Sequence, residues 1–176
     1  MNKIFYSFGN PLKVKFRKHY CYKCGRELSI LKDSKIVSPK SEEARYYDFN
    51  IGSDGVMFGP CEFSHNVFYC PTCSEQIEFV TQLSLEDIDI FIEKTRKKFF
   101  KKNINLEIKK AYETEKGNHL RAESLENVPY LCLTVYHADK EVFVYKIPRK
   151  RKNCWERPYY FETPTKEFVK SIKKHL

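Results

Sequence analysis

No stretch of this 176-residue chain approaches the roughly 20 consecutive apolar residues that a membrane-spanning helix requires. The opening MNKIFYSFGNPLKVKF is broken by Asn, Gly, Pro and Lys, so it lacks the apolar centre of a secretion signal. Recognisable catalytic signatures are also missing. There is no Gly-x-Ser-x-Gly and no His-Glu-x-x-His, and the glycines at 52, 55 and 59 are not followed by the Gly-Lys-Ser/Thr of a phosphate loop. Low-complexity linkers are absent, and beyond one short device nothing repeats. Cysteine does not come in an even number: there are seven, which argues against a disulfide framework in a chain without an export signal. These absences lead to the expectation of a cytoplasmic binding module; the enzyme question leans to no and stays open, with no catalytic constellation visible in the sequence.

What is present points to a folded chain. Fourteen Phe and twelve Tyr are far from a disordered composition, and the length suits one ordinary domain or two small ones. The formal net charge of +9 favours an acidic partner. That charge is uneven. Residues 1–80 carry eleven Lys and Arg against nine Asp and Glu, whereas residues 81–176 carry twenty-one against fourteen.

The repeated device is Cys-x-x-Cys, once in KHYCYKCGRELSI and again in FYCPTCSEQIEF. A single such turn aims two thiolates at one point, and two turns facing each other complete a tetrahedron. Zinc accepts four sulfurs at about 2.3 Å with no d-electron preference of its own. Cys21, Cys24, Cys70 and Cys73 are therefore the expected ligands, and a closed four-sulfur shell implies a structural ion. Gly25 follows the first pair, where the turn favours positive φ, and Pro71 stiffens the second. Both flanks read as strands (KHY and ELSI, NVFY and QIEF), so each turn is expected to cap a hairpin. Over residues 16–80 this arrangement resembles a zinc ribbon, with an insertion stretching the usual spacing of about 15–20 residues to 45. Cys61 and His65 lie close enough to the second pair to replace a ligand or join a second ion, and His19 sits two residues before Cys21. Ordinary packing is the plainer account of all three, and of Cys132 and Cys154.

The remaining pattern is α+β: a zinc-ribbon-like β region over 1–82, then a basic half over 83–176 with mostly antiparallel strands and two amphipathic helices. A hairpin is expected at 44–51 and 55–63 around Asp54-Gly55. SLEDIDIFIEKTRKKFFKKN reads as a helix opened by a Ser84–Asp87 capping box. Leu85, Ile88, Ile92, Thr95 and Phe99 lie on its inner stripe, and Lys94, Lys97, Lys98 and Lys101 on the outer one. NINLEIKKAY reads as a strand, and YLCLTVYHADKEVFVYKI as two more around a turn at 137–140. Arg149, Lys150, Arg151 and Lys152 form a basic run, expected as an exposed loop beside Trp155. Thr163 and Pro164 are the expected start of a last helix that turns Phe168, Ile172 and Leu176 inward and Lys166, Lys170, Lys173 and Lys174 outward.

Two nuclease patterns have partial counterparts among these residues. Some HNH sites place a catalytic Asp-His between paired knuckles, and no Asp-His occurs here. Glu107 and Lys109 have the acid-x-Lys spacing of another class, a tripeptide common on any charged strand. The expectation is then nucleic-acid binding by the lysine faces and the 149–152 cluster, with Trp155 stacking on a base. The alternative is a protein-interaction module, such as an inhibitor or toxin-neutralising partner, meeting an acidic protein surface.

Overall fold

The computed structural model describes residues 2–6, 11–51, 55–56, 58–113, 119–120, 125, 128–151 and 158–176. Chain contacts divide the protein into two compact units: residues 1–83 with 151–158, and residues 84–150 with 159–176. The fold is α+β, and most strand pairs are antiparallel.

In the first unit the organising element is β5 (Cys61–Cys70), a ten-residue strand buried along most of its length. Strand β2 (Ser29–Val37) pairs antiparallel along one side of it, from Ser29↔Tyr69 to Val37↔Cys61. The other side is shared. β1 (Asn2–Tyr6) runs parallel to its first half, and β6 (Glu75–Glu78) turns back antiparallel on its second. Because side chains alternate across a strand, β5 serves two apolar clusters. Cys61 and Phe63 pack with Val37, Tyr47, Ile4, Tyr46 and Phe49. Phe68 packs with Val14, Ile77, Phe79 and Leu83. Val14 comes from a short helix, α1 (Pro11–Phe16).

The expected hairpin at 44–51 and 55–63 is reduced to two residue pairs, between β3 (Asn50–Ile51) and β4 (Gly55–Val56). Residues 42–46 form a 3-10 turn instead, bringing Tyr46 and Tyr47 onto the sheet. Strand β5 is taken by β1 and β2, so it is not available to that hairpin.

Helix α2 (Phe79–Phe100) starts five residues before the expected cap at Ser84. Phe79, Val80 and Leu83 are buried, and Phe79 and Leu83 belong to the Phe68 cluster rather than to the inner stripe. Ser84 is thus inside the helix, and its hydroxyl accepts a hydrogen bond from the Phe161 backbone N–H at 3.2 Å. Leu85, Ile88, Ile92, Thr95 and Phe99 are buried as expected. Asn103, at φ 60°, helps close the chain after the helix, where the Ile104 N–H returns to the Phe99 carbonyl at 3.1 Å.

The second unit holds a five-stranded sheet in the order β11 (Tyr159–Phe161), β10 (Lys140–Arg151), β9 (Tyr130–His137), β7 (Leu106–Glu113), β8 (His119–Leu120). The β9–β10 turn uses Ala138 and Asp139, both at positive φ, which suits the twist of a two-residue hairpin. One sheet face is covered by α2 and by α3 (Lys166–His175). Phe143 and Tyr145 meet Phe168, Phe91 meets Phe168, and Lys110 on β7 pairs with Asp89 on α2 at 2.6 Å. Helix α3 is capped by Thr165, not Thr163: the Thr165 hydroxyl accepts from the Glu167 N–H at 3.3 Å. Phe168 and Ile172 are fully buried, but Leu176, which follows the end of the helix at His175, is 46% exposed.

Candidate metal centre

The two Cys-x-x-Cys turns meet. The sulfurs of Cys21, Cys24, Cys70 and Cys73 all lie within 4.8 Å of one another. Cys21 and Cys73 approach to 3.9 Å, and Cys24 and Cys70 to 3.5 Å. A disulfide would require about 2.05 Å, whereas sulfurs at the corners of a tetrahedron with 2.3 Å bonds stand about 3.8 Å apart. The spacing is too long for disulfides and compatible with ligands around one ion. Two of the four, Cys21 and Cys70, are buried, while Cys24 faces outward.

Local backbone chemistry sets each turn. In the first, the Gly25 N–H donates to the Cys21 carbonyl and the Cys21 N–H to the Arg26 carbonyl, both at 2.8 Å. Gly25 has φ +71°, the left-handed conformation expected of it. A single bridge, Tyr20↔Glu27, closes this turn, and the chain then leaves along β2 to pair with β5. The first turn therefore caps only a one-bridge hairpin, shorter than expected, in which the Leu28 N–H also donates to the His19 carbonyl at 2.8 Å. The second caps the hairpin of β5 and β6, closed by Cys70↔Glu75. Ser74 follows Cys73 as Gly25 follows Cys24, and it too is left-handed, at φ +52°. The Glu75 carboxylate crosses between the turns, accepting from Tyr22 Oη at 2.9 Å and pairing with Lys23 at 2.8 Å.

The thiols do not share proton affinity evenly. Burial raises that of Cys70, but the backbone N–H of Cys73, the Cys24 thiol and the Thr72 N–H outweigh it and bring the group down to about 7. Cys73 is pushed up to about 12, first by sharing with the Cys24 sulfur and then by burial. Four sulfurs this close cannot all ionise unless a cation stands among them. The donor set is compatible with a metal-binding site.

Neither Cys61 nor His65 joins it. Cys61 is buried at the far end of β5, where its thiol donates to the Gly59 carbonyl at 3.5 Å. His65 pairs with Glu78 at 3.0 Å inside the sheet. His19 is also buried, its Nε2 3.1 Å from the Val14 carbonyl and its ring 4.5 Å from that of Phe68, so it supports the first turn from beneath.

Of the expected nucleic-acid residues, Lys94, Lys97, Lys98 and Lys101 are exposed on α2 and the turn after it, with Lys97 3.5 Å from Glu93. The basic run is not a loop as far as Arg151. Arg149, Lys150 and Arg151 continue β10, so they alternate between sheet faces rather than forming one patch. Arg149 donates to the Leu125 carbonyl at 3.2 Å and lies over the Tyr159 ring, and Lys150 pairs with Glu162 at 2.6 Å. Lys152 and Trp155, like Cys154, fall outside the described residues. Glu107 and Lys109 sit exposed on β7 and pair with each other at 3.5 Å.

Charge is also uneven within the first half. Residues 1–26 contain seven Lys and Arg and no carboxylate residue. Leu12, Phe16 and Tyr20 are exposed within this stretch, beside the first Cys-x-x-Cys. A shorter charge window would have revealed it. Comparison with known protein families, curated proteins and solved structures finds no match to this chain. Among the described residues no helix is long and apolar enough to cross a membrane.

Proposed function

We propose that this protein is a structural-zinc module that binds nucleic acid through the outer faces of α2 and α3. Zinc suits the centre because four thiolates form a closed shell with no position for a reacting water. The first unit then holds a zinc-ribbon-like centre supported by β5 and β6.

The observation that carries the nucleic-acid reading is the placement of the two helices. Both pack on the same face of the five-stranded sheet, joined through Phe168. Their lysines are exposed: Lys94, Lys97, Lys98 and Lys101 with α2, and Lys166, Lys170, Lys173 and Lys174 on α3. Cations repeating along two neighbouring helices meet the regular charge of a phosphate backbone, and releasing its counterions drives association. Arg149 and Lys150, already engaged within the sheet, contribute less than their sequence promised.

Binding to random single-stranded and duplex DNA and RNA, titrated with salt, tests this. Each phosphate contact adds about 0.7–0.9 to the log–log salt slope, so full engagement of both lysine rows on duplex gives a slope near −7. Replacing Lys94, Lys97, Lys98 and Lys101 together with Glu should remove roughly half of it. Binding no tighter than that of an unrelated protein of equal net charge would refute the reading and favour an acidic protein as partner.

A further inference from the structure

Strand β2 is the longest uncovered edge in the first unit among the described residues. It pairs with β5 on one side and has no described strand on the other. Its side chains are exposed on both sheet faces from Ser29 to Ile36, save for the half-buried Asp33. Three of them are large and apolar: Ile30 at 48%, Leu31 at 39% and Ile36 at 60% exposure. A long edge strand with apolar side chains presents a row of backbone donors and acceptors to any strand that can align with it.

The sequence SILKDSKIV decides what can align. Two copies related by a twofold axis normal to the sheet pair antiparallel, each residue opposite one on the same face. Axes through Lys32, Asp33 or Lys35 set a like charge against itself, which is destabilising for residues directly opposite. An axis through Ser34 does the reverse. It sets Asp33 opposite Lys35 of the second copy, twice, and Leu31 opposite Val37, twice. Lys35 already reaches Glu43 at 3.0 Å in an exposed pair, and such pairs hold a side chain only weakly. Lysines on an edge strand ordinarily discourage strand pairing, but in this register Lys35 meets an acid.

We propose that the protein forms a symmetric dimer through β2, its strands pairing antiparallel about Ser34 so that the two β5-centred sheets become one. The occupant of this edge is a second copy of the chain.

Sedimentation equilibrium on the metal-loaded full chain tests the stoichiometry, and a charge exchange tests the register. Wild type should be dimeric at micromolar concentration. Asp33→Lys and Lys35→Asp should each raise the dissociation constant by about tenfold or more, because each sets like charges opposite one another at two places. The double variant Asp33→Lys with Lys35→Asp should recover the dimer. Ser34→Cys provides a test that does not depend on those substitutions folding. Opposed Cα atoms on paired strands are about 4.5–5.5 Å apart, within disulfide range. Diamide should therefore convert this variant to a covalent dimer while leaving wild type and Lys32→Cys uncross-linked. A monomeric wild type would overturn the proposal. Failure of both the charge exchange and the Ser34→Cys cross-link would overturn the register.

Discussion

Gly25 and Ser74 occupy matching positions after the two Cys-x-x-Cys turns, and both are left-handed, at φ +71° and +52°. Substitutions of opposite sense at these sites should have opposite effects. A Cβ added to Gly25 would meet nothing within 4 Å, so Gly25→Ala introduces no clash and the cost is conformational. The left-handed region costs an L-residue about 1–2 kcal/mol. Restricting the unfolded chain returns about 0.4–1 kcal/mol. The net is a destabilisation of roughly 1 kcal/mol for Gly25→Ala, and a stabilisation of similar or smaller size for Ser74→Gly. Because metal binding and folding are linked in such sites, the same energy should appear as about a fivefold change in zinc affinity, weaker for the first variant and tighter for the second. Competition with a chelating dye measures it, with thermal unfolding in parallel. Gly25→Asn, which tolerates this backbone region better, should lose less than Gly25→Ala. A neutral Gly25→Ala, or a Ser74→Gly that weakens binding, would refute the reasoning.

Cys70→Ser should abolish stoichiometric zinc binding and lower the thermal transition of the first unit, read by metal analysis and circular dichroism; a variant that retains one bound ion would remove Cys70 from the ligand set. In the second unit, Ile92→Asp should destabilise strongly, since burial of one such side chain is worth about 1.5–3 kcal/mol, whereas Lys97→Glu, exposed beside Glu93, should change stability by less than about 1 kcal/mol; the reverse ranking in denaturant unfolding would place the wrong face inward. Cys132 is held neutral, its thiol pushed up to about 11 by burial and then by Glu113, which accepts from it at 3.3 Å. A folded-state value above the ordinary 9.0 stabilises the protein below pH 9, and that contribution is lost as pH rises through about 11. Cys132→Ser should therefore flatten the stability curve between these two values, and an unchanged alkaline limb would argue against it.

The parts of the structure legible in the sequence are those that local chemistry determines. Paired cysteines three apart, a glycine where positive φ is needed, and an inner stripe from Leu85 to Phe99 all carry their own geometry. The failures involve partners distant in sequence. Ser84 resembles a helix cap, but its hydroxyl is used by the backbone of Phe161, and Phe79, read as the end of the QIEF strand, opens the helix because β6 runs directly into it. Strand β1 has a parallel partner some sixty residues away, which no local pattern announces. Pro148 and four cations made 149–152 resemble a loop, yet Pro148 pairs opposite Tyr130 at the end of β9, and the strand continues beyond it to Arg151.

The distance between the two halves of the four-cysteine cluster matters during synthesis. Cys24 and Cys70 are 46 residues apart, and β5, the strand that both β1 and β2 require, ends at Cys70. At about 5–20 residues per second, the ribosome leaves Cys21 and Cys24 without their partners for some seconds. Through that interval the nascent chain carries an unsheltered dithiol, since the sheet that buries Cys21 has no central strand. Assembly of the four-cysteine cluster, and protection of its first two sulfurs from oxidation, are thus tied to the emergence of residues 61–73.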